Sequence, residues 1–423
     1  MKMSTRTAVL ALLCACVSAQ EVLLQGRFGY NVNDQRGLGS PPLVFSWPAS
    51  SIYASFQGSS VNATISALEP TGAISSQYSR FVFFLDQQQA ALEITTPNNT
   101  VINWGVVGLA NVTHNVIITK ISEASYGQAR LDALTVGPGG RFLTPVLPDA
   151  FASGRRIQYI GDSYTVGFGN VGGTSNCHAS VCEIRRISGA CYPELDSENA
   201  AIGWGPLTAA HFGADYQVLA WSGAGLNTYG TTLSNDTKVT ETGVPEEDED
   251  EASITPNDIT LFTRQVAADN ASLVTNHSWV PQIVVLAGGT NDFRSSPPPP
   301  LEEWTSDIID FLNMVNELYS DPTIIIQVFP LEVQWQGVLT HDQTSTYLQY
   351  MTSLYTTTQM TGMTNVRLLQ LTGVDMPLVE WCVAHPSAAA DADIASQLTA
   401  YIEAVMPEWA NTTYPLSVTI EES

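Results

Sequence analysis

The apolar positions of this chain follow two different periods. From about Glu21 to Gly140, short β-branched and aromatic runs recur at Ser50–Gly58, Ser60–Leu68, Ser79–Gln87, Ala90–Thr96, His114–Ser122 and Ala129–Val136. Gly, Pro, Asn and Ser separate them, and no helical stripe appears. Strands of this length at this spacing predict an all-β sandwich or jelly roll. Gly137-Pro138-Gly139-Gly140 opens a break that runs to Gly154.

Beyond the break, apolar runs at Ile157–Ile160, Gln217–Trp221, Ile283–Ala287, Thr323–Phe329 and Val366–Leu371 are spaced by helical or long loop segments. Continuous apolar strands alternating with helices predict a parallel, doubly wound α/β sheet. Leu301, Trp304, Ile308, Leu312, Val315 and Leu318 recur at helical spacing, as do Ile394, Leu398, Ile402 and Val405. Such stripes are core faces. There is no Walker-type phosphate loop, and the Gly-x-Gly near residue 167 lacks a full dinucleotide fingerprint, so no nucleotide cofactor is expected.

Composition narrows the partners. The 423 residues carry 41 acidic against 16 basic side chains, a formal charge of −25, which argues against nucleic acid or anionic membrane as a partner. The acidic run Glu246–Glu251 reads as a solvated loop. Lys2 and Arg6, the apolar AVLALLCACV stretch and Val17-Ser18-Ala19 have the layout of a cleavable secretory signal over residues 1–19. No later run approaches the roughly 20 apolar residues of a membrane-spanning helix. The mature protein is therefore expected to be soluble, secreted and extracellular.

Asn-x-Ser/Thr acceptors at Asn62, Asn98, Asn111, Asn235, Asn270, Asn276 and Asn411 fit a glycosylated extracellular chain. Cys14 and Cys16 leave with the signal, so Cys177, Cys182, Cys191 and Cys382 remain as disulfide candidates whose pairing stays open. Cys177, His178, Cys182 and Cys191 match no common zinc spacing, and no metal is expected. His114, His178, His211, His277 and His341 stand in no motif and read as surface or locally bonded side chains.

Candidate chemistry begins where the first parallel strand ends. Arg155–Asn170 reads RRIQYIGDSYTVGFGN, so a small-residue turn after a buried strand sets Ser163 at the rim of the sheet. Open α/β sheets place their ligands there, and Ser163 is the candidate nucleophile. Gly-Asp-Ser also occurs in simple turns. What distinguishes this one is company: Gly289-Thr290-Asn291-Asp292-Phe293 follows a later strand, and Trp381-Cys382-Val383-Ala384-His385-Pro386-Ser387 lies near the C-terminus. Acyl transfer by a serine needs a base and donors for the developing oxyanion. His385 and Asn291 supply those groups, and Gly223 in Trp221-Ser222-Gly223-Ala224-Gly225 offers a backbone N–H, with Gly225 in reserve. Asp162 and Asp292 read as loop braces that accept backbone N–H bonds.

Through these four motifs the chain resembles the SGNH (GDSL-type) hydrolase superfamily, and more closely carbohydrate esterase family 2, along GDSYTVGFGN, WSGAGL, WVPQIVVLAGGTNDF and ITKISEASYG. The resemblance covers nearly all of the mature chain. It implies a β-sandwich (jelly-roll) domain over 20–145, a linker over 146–154, a flavodoxin-like SGNH catalytic domain over 155–410 and a tail over 411–423. It also implies an acetylxylan esterase-like activity on acetylated plant polysaccharides or oligosaccharides such as xylan or glucomannan. Ser163 would attack, His385 would act as base and then acid, and the Ser163 and Gly223 N–H groups with the Asn291 amide would hold the oxyanion.

One position departs from the pattern. SGNH enzymes usually carry Asp three residues before the histidine, and here that residue is Cys382. A backbone carbonyl can accept the Nδ1–H bond instead, giving a Ser163–His385 dyad with Cys382 in a disulfide that anchors the histidine loop. Asp375 or Glu380 is the alternative orienting acid. Trp335, after the fourth parallel strand, and Trp381 are candidate sugar platforms, with Trp221 as a further choice. Two other readings compete: a GDSL-type esterase, lipase or acyltransferase on other esters, and a carbohydrate-binding protein with an idle hydrolytic site.

Overall fold

The computed structural model describes residues 15–16, 22–30, 42–68, 78–86, 88–97, 99–145, 153–171, 197–227, 230–231, 254–255, 262, 279–293, 298–330, 341–374 and 385–410. Its N-terminal part is antiparallel: β1 (Ala15–Cys16), β2 (Val22–Gln25), β3 (Gly29–Tyr30), β4 (Leu43–Phe45), β5 (Ser51–Leu68), β6 (Tyr78–Leu85), β7 (Gln88–Pro97), β8 (Thr100–Lys120), β9 (Gln128–Val136) and β10 (Arg141–Leu143). All ten join one sheet in the order β3-β4-β9-β5-β8-β6-β7, with β1 on β9 and with β2 and β10 on β5.

The expected separate strands Ser50–Gly58 and Ser60–Leu68 are one 18-residue strand, β5, whose register against β8 shifts between Gly58 and Ser60. A bulge bends a strand and adds twist, so what reads as a turn in the sequence curls the sheet instead. The curl encloses an apolar core that includes Phe45, Phe56, Ile65, Phe81, Phe83, Trp104 and Leu131. The Phe83 and Trp104 rings stack there at 4.7 Å.

The second part is α/β. Strands β11 (Arg156–Gly161), β12 (Asp215–Ala220), β15 (Ile283–Ala287), β16 (Thr323–Val328) and β17 (Val366–Gln370) form a parallel sheet in the order β12-β11-β15-β16-β17, while β13 (Gly230–Thr231) and β14 (Ile254–Thr255) make a small ladder of their own. All five parallel strands stand where the apolar runs predict them. Every residue of β15 is buried, as expected of a strand covered on both faces. The order reverses at β11, whose neighbours β12 and β15 follow it in sequence on opposite sides. Open sheets bind ligands beyond the strand C-termini at such a switch point.

Among the described residues the α-helices are α1 (Ser163–Val166), α2 (Trp204–His211), α3 (Leu301–Tyr319), α4 (His341–Met360) and α5 (Ala388–Val405). The predicted stripes of α3 and α5 bury Trp304, Ile308, Leu312, Val315, Ile394, Leu398 and Ile402 in the core around the parallel sheet. Trp47, Ala49 and Ala124 of the antiparallel part pack into that same core. Polar bonds seal the junction: the Arg27 guanidinium donates to Gln217 Oε1 at 3.0 Å, Arg80 donates to the Glu198 carbonyl at 2.6 Å, and Ala200 N–H donates to the Ile121 carbonyl at 3.0 Å.

Candidate active site

The nucleophile turn forms where β11 leaves the sheet. A Cβ at Gly161 would lie 2.8 Å from the Ala287 carbonyl oxygen of neighbouring β15, so only glycine fits there. Asp162 caps α1 by accepting the Tyr164 N–H at 3.0 Å, and the helix stops after one turn because Gly167 is left-handed at φ +79°. Ser163 is thereby the first helical residue. Its Oγ lies 2.7 Å from His385 Nε2.

Two aromatic rings pack against the His385 ring. The Tyr164 ring lies 5.1 Å away and the Phe168 ring 4.6 Å away, both tilted against the imidazole. Tyr164 is fixed in turn by Phe329 at 4.7 Å. On the chain side, His385 precedes Ser387, whose hydroxyl caps α5 by accepting the Ala390 N–H at 3.2 Å.

The turn after β12 runs beside the nucleophile turn, because Trp221 N–H donates to the Gly161 carbonyl at 3.1 Å. Gly223 sits at its tip with φ +82°, a region that favours glycine. Carboxylates grip both flanks of the turn. Glu123 Oε2 accepts the Ser222 N–H at 2.6 Å, while Asp292 accepts the Leu226 N–H at 2.7 Å and the Asn227 N–H at 3.2 Å. Asn291 Nδ2 donates to the Ala224 carbonyl at 2.8 Å and, over a longer 3.3 Å, to Asp162 Oδ2.

Asp162 thus links three motifs, since its Oδ2 also accepts the Thr290 hydroxyl at 2.6 Å. Burial pushes its carboxyl up to about 6, against the bonds from Thr290 and Tyr164 that favour the charged form. Behind the turn, Asn170 donates to Asp391 Oδ2 at 2.9 Å, and burial raises the Asp391 carboxyl to about 8. Among the described residues, no group of three or more His, Cys, Asp or Glu is placed to hold a metal ion.

Four of the residues read from the sequence therefore line the same sheet edge: Ser163, Gly223, Asn291 and His385. The bracing expected of Asp162 and Asp292 is the geometry found. Trp221 is only 4% exposed, which removes it as a sugar platform. His114 and His211 are locally bonded, to Asp86 and Glu403 respectively. Asn62 and Asn111 are exposed on β5 and β8. Trp335, Asp375, Glu380, Trp381, Cys177, Cys182, Cys191, Cys382, Asn98, Asn235, Asn270, Asn276 and Asn411 lie outside the described residues. Sequence reading assigned no role to Phe168, Thr290 or Glu123, although each stands inside or beside a segment that carries the resemblance.

Comparison with known proteins adds an independent line. The family model "Carbohydrate esterase 2 N-terminal" matches residues 26–145. A Cellvibrio japonicus protein named acetylxylan esterase / glucomannan deacetylase is 24% identical over 86% of this chain and 87% of its own length. Among solved structures, a family two carbohydrate esterase from Clostridium thermocellum in complex with cellohexaose has a TM-score of 0.68 at 23% identity, covering 92% of this chain and 99% of that one. A carbohydrate esterase family 2 enzyme of Myceliophthora fergusii has a TM-score of 0.64 at 25% identity, over 91% and 99% of the two chains.

Proposed function

This chain belongs to carbohydrate esterase family 2 and is a carboxylic ester hydrolase of the SGNH type, and from that premise we infer that it removes O-acetyl groups from plant polysaccharides such as xylan or glucomannan by serine catalysis. The observation that carries the reading is the 2.7 Å contact between Ser163 Oγ and His385 Nε2 at the switch point of the parallel sheet. The substrate class is supported by the relative named for xylan and glucomannan and by the neighbour solved with cellohexaose. A strongly acidic chain also suits a neutral glycan.

In this reading the Ser163 hydroxyl attacks the acetyl carbonyl while its proton passes to His385 Nε2. The oxyanion of the tetrahedral intermediate is held by the Ser163 and Gly223 N–H groups. Asn291 joins them by exchanging its long contact with Asp162 for the acyl oxygen. His385 then protonates the departing sugar oxygen, and a water deprotonated by His385 releases acetate from Ser163. For Nε2 to accept a proton, Nδ1 must carry one. A backbone carbonyl accepts that N–H, and the Tyr164 and Phe168 faces hold the ring in the plane that a carboxylate three residues upstream usually enforces. Trp335 and Trp381 supply the sugar platform.

The wider assignment follows. Residues 1–19 direct the chain out of the cell and are cleaved there, β1 leaving with them, Cys382 with Cys177, Cys182 and Cys191 forms disulfides in that oxidising setting, and the exposed Asn62 and Asn111 carry glycans. The curled antiparallel sheet is a jelly-roll sandwich that braces the catalytic unit.

Acetate release from acetylated xylan and acetylated glucomannan tests the reading. Purified protein releases acetate from at least one of them and Ser163→Ala abolishes it. Equal release by the variant, or a preference for long-chain esters over acetyl esters, rejects it.

A further inference from the structure

The antiparallel part reaches the turn that carries Gly223 through the side chain of Glu123. Glu123 follows β8 and is 2% exposed. Besides the Ser222 N–H on Oε2, its Oε1 accepts the Ser125 hydroxyl at 2.5 Å. Its backbone is held as well: the Glu123 N–H donates to Glu198 Oε1 at 2.5 Å, and its carbonyl accepts Lys120 Nζ at 2.7 Å. Glu123 is therefore held from its own side by Ser125 and Lys120 and from the catalytic unit by Glu198.

What that contact controls follows from peptide planarity. The plane joining Trp221 and Ser222 is held by the bond from Ser222 N–H to Glu123. The plane joining Gly223 and Ala224 is held by the bond from Ala224 N–H to the Trp221 carbonyl at 3.1 Å. Between them lies the plane that carries the Gly223 N–H, at a residue with φ +82° that has unusual rotational freedom. With its neighbours held, this plane keeps only the two orientations that distinguish a type I from a type II turn, and φ +82° at Gly223 is the type II one.

We propose that Glu123 is a positioning residue of the oxyanion hole, holding the Ser222 N–H so that the Gly223 N–H points at the acyl oxygen, and that the antiparallel domain is thereby part of the catalytic apparatus. The proposal rests on the reading of Gly223 as an oxyanion donor. An interaction that acts on the tetrahedral state raises kcat with little effect on ground-state binding. Its loss differs in this respect from loss of a contact that only stabilises the domain junction.

Steady-state hydrolysis of 4-nitrophenyl acetate, and inhibition by a small boronic acid that forms a tetrahedral adduct with serine, are measured for wild type, Glu123→Gln, Glu123→Met, Ser125→Ala, Arg27→Met and Ser163→Ala. Glu123→Gln keeps an acceptor for Ser222 and loses a few-fold in kcat, whereas Glu123→Met loses about 10- to 100-fold, short of deleting the donor itself. KM stays within about 2-fold, and boronate affinity falls in step with kcat, as expected for interactions made in the tetrahedral state. Arg27→Met breaks the junction elsewhere, lowering the melting temperature without changing kcat. Should Glu123→Met fail to fold, Ser125→Ala, which frees Oε1 without touching Ser222, still lowers kcat and boronate affinity together. Wild-type kcat in Glu123→Met, or in both Glu123→Gln and Ser125→Ala, overturns the proposal, as does a kcat loss with unchanged boronate affinity. If Ser163→Ala abolishes turnover in the same series, that failure leaves the esterase reading intact. Undiminished turnover in Ser163→Ala rejects the esterase reading itself.

Discussion

Replacing Phe168 isolates what the aromatic clamp does for His385, the proposed base. The Phe168 ring centroid lies 4.6 Å from that of His385, and Tyr164 lies 5.1 Å away on another side. As Ser163 gives up its proton, the imidazole becomes a cation between two ring faces. A cation over an aromatic face within such a distance is stabilised by about 0.5–2 kcal/mol. Phe168→Leu removes one face while keeping most of the volume, so kcat/KM falls by about 2- to 30-fold. Folding stability changes by less than about 1.5 kcal/mol, since the swap is apolar and only partly buried. Phe168→Tyr retains the ring and stays near wild type. The assay is kcat/KM for a short acetyl ester alongside thermal melts of the three proteins. Wild-type turnover in Phe168→Leu, or equal losses in the Leu and Tyr variants, refutes the argument that the ring face acts on the imidazolium.

Two further outcomes follow from the same geometry. Asn291→Ala, which deletes the proposed oxyanion donor held by the Ala224 carbonyl, lowers kcat by roughly 10²- to 10³-fold with a far smaller change in KM; a loss confined to KM contradicts the role. Asp391 binds a proton in the folded state up to about pH 8, whereas an unfolded Asp loses it near 3.9, so its contribution to stability is full below about pH 4 and is lost as the pH rises towards 8. Asp391→Asn keeps an acceptor for Asn170 and has no proton to lose. The melting temperature of the variant minus that of wild type therefore rises as the pH increases across that range, and a difference that is constant or falls towards pH 8 counts against a neutral Asp391.

How much of this was legible in the chain depended on whether the signal was local. The parallel strands were, because strands covered on both faces must be apolar at nearly every position, as Ile283–Ala287 is. Gly58-Ser59 misled for the opposite reason: small residues mark a turn or a bulge equally well, and only the pairing with β8 decides. Helix α4 hides its stripe of Tyr347, Tyr350, Met351 and Leu354 among threonines and glutamines, whose helix propensity and hydropathy are unremarkable. In the candidate site, Ser163, Gly223, Asn291 and His385 could be singled out because each stands in a short motif that supplies a hydroxyl, a backbone N–H, an amide or an imidazole. Glu123 stands in the segment ITKISEASYG, but nothing there names its partner. Its partner Ser222 is 99 residues away, and a glutamate just after a long strand gives no sign in the sequence that a backbone N–H from the other part of the chain will meet it. Phe168 lies within the nucleophile segment, yet its role appears only when folding brings His385 against it.

The central claim is that His385 makes Ser163 a nucleophile, and reaction with a fluorophosphonate reports on that step directly. Mass spectrometry of the labelled wild-type protein should find the phosphonyl group on the peptide containing Ser163 and nowhere else, with His385→Ala labelled at least about 100-fold more slowly, the lower end of what general-base assistance contributes. A label on another residue, or an undiminished labelling rate in His385→Ala, would contradict the account at its root.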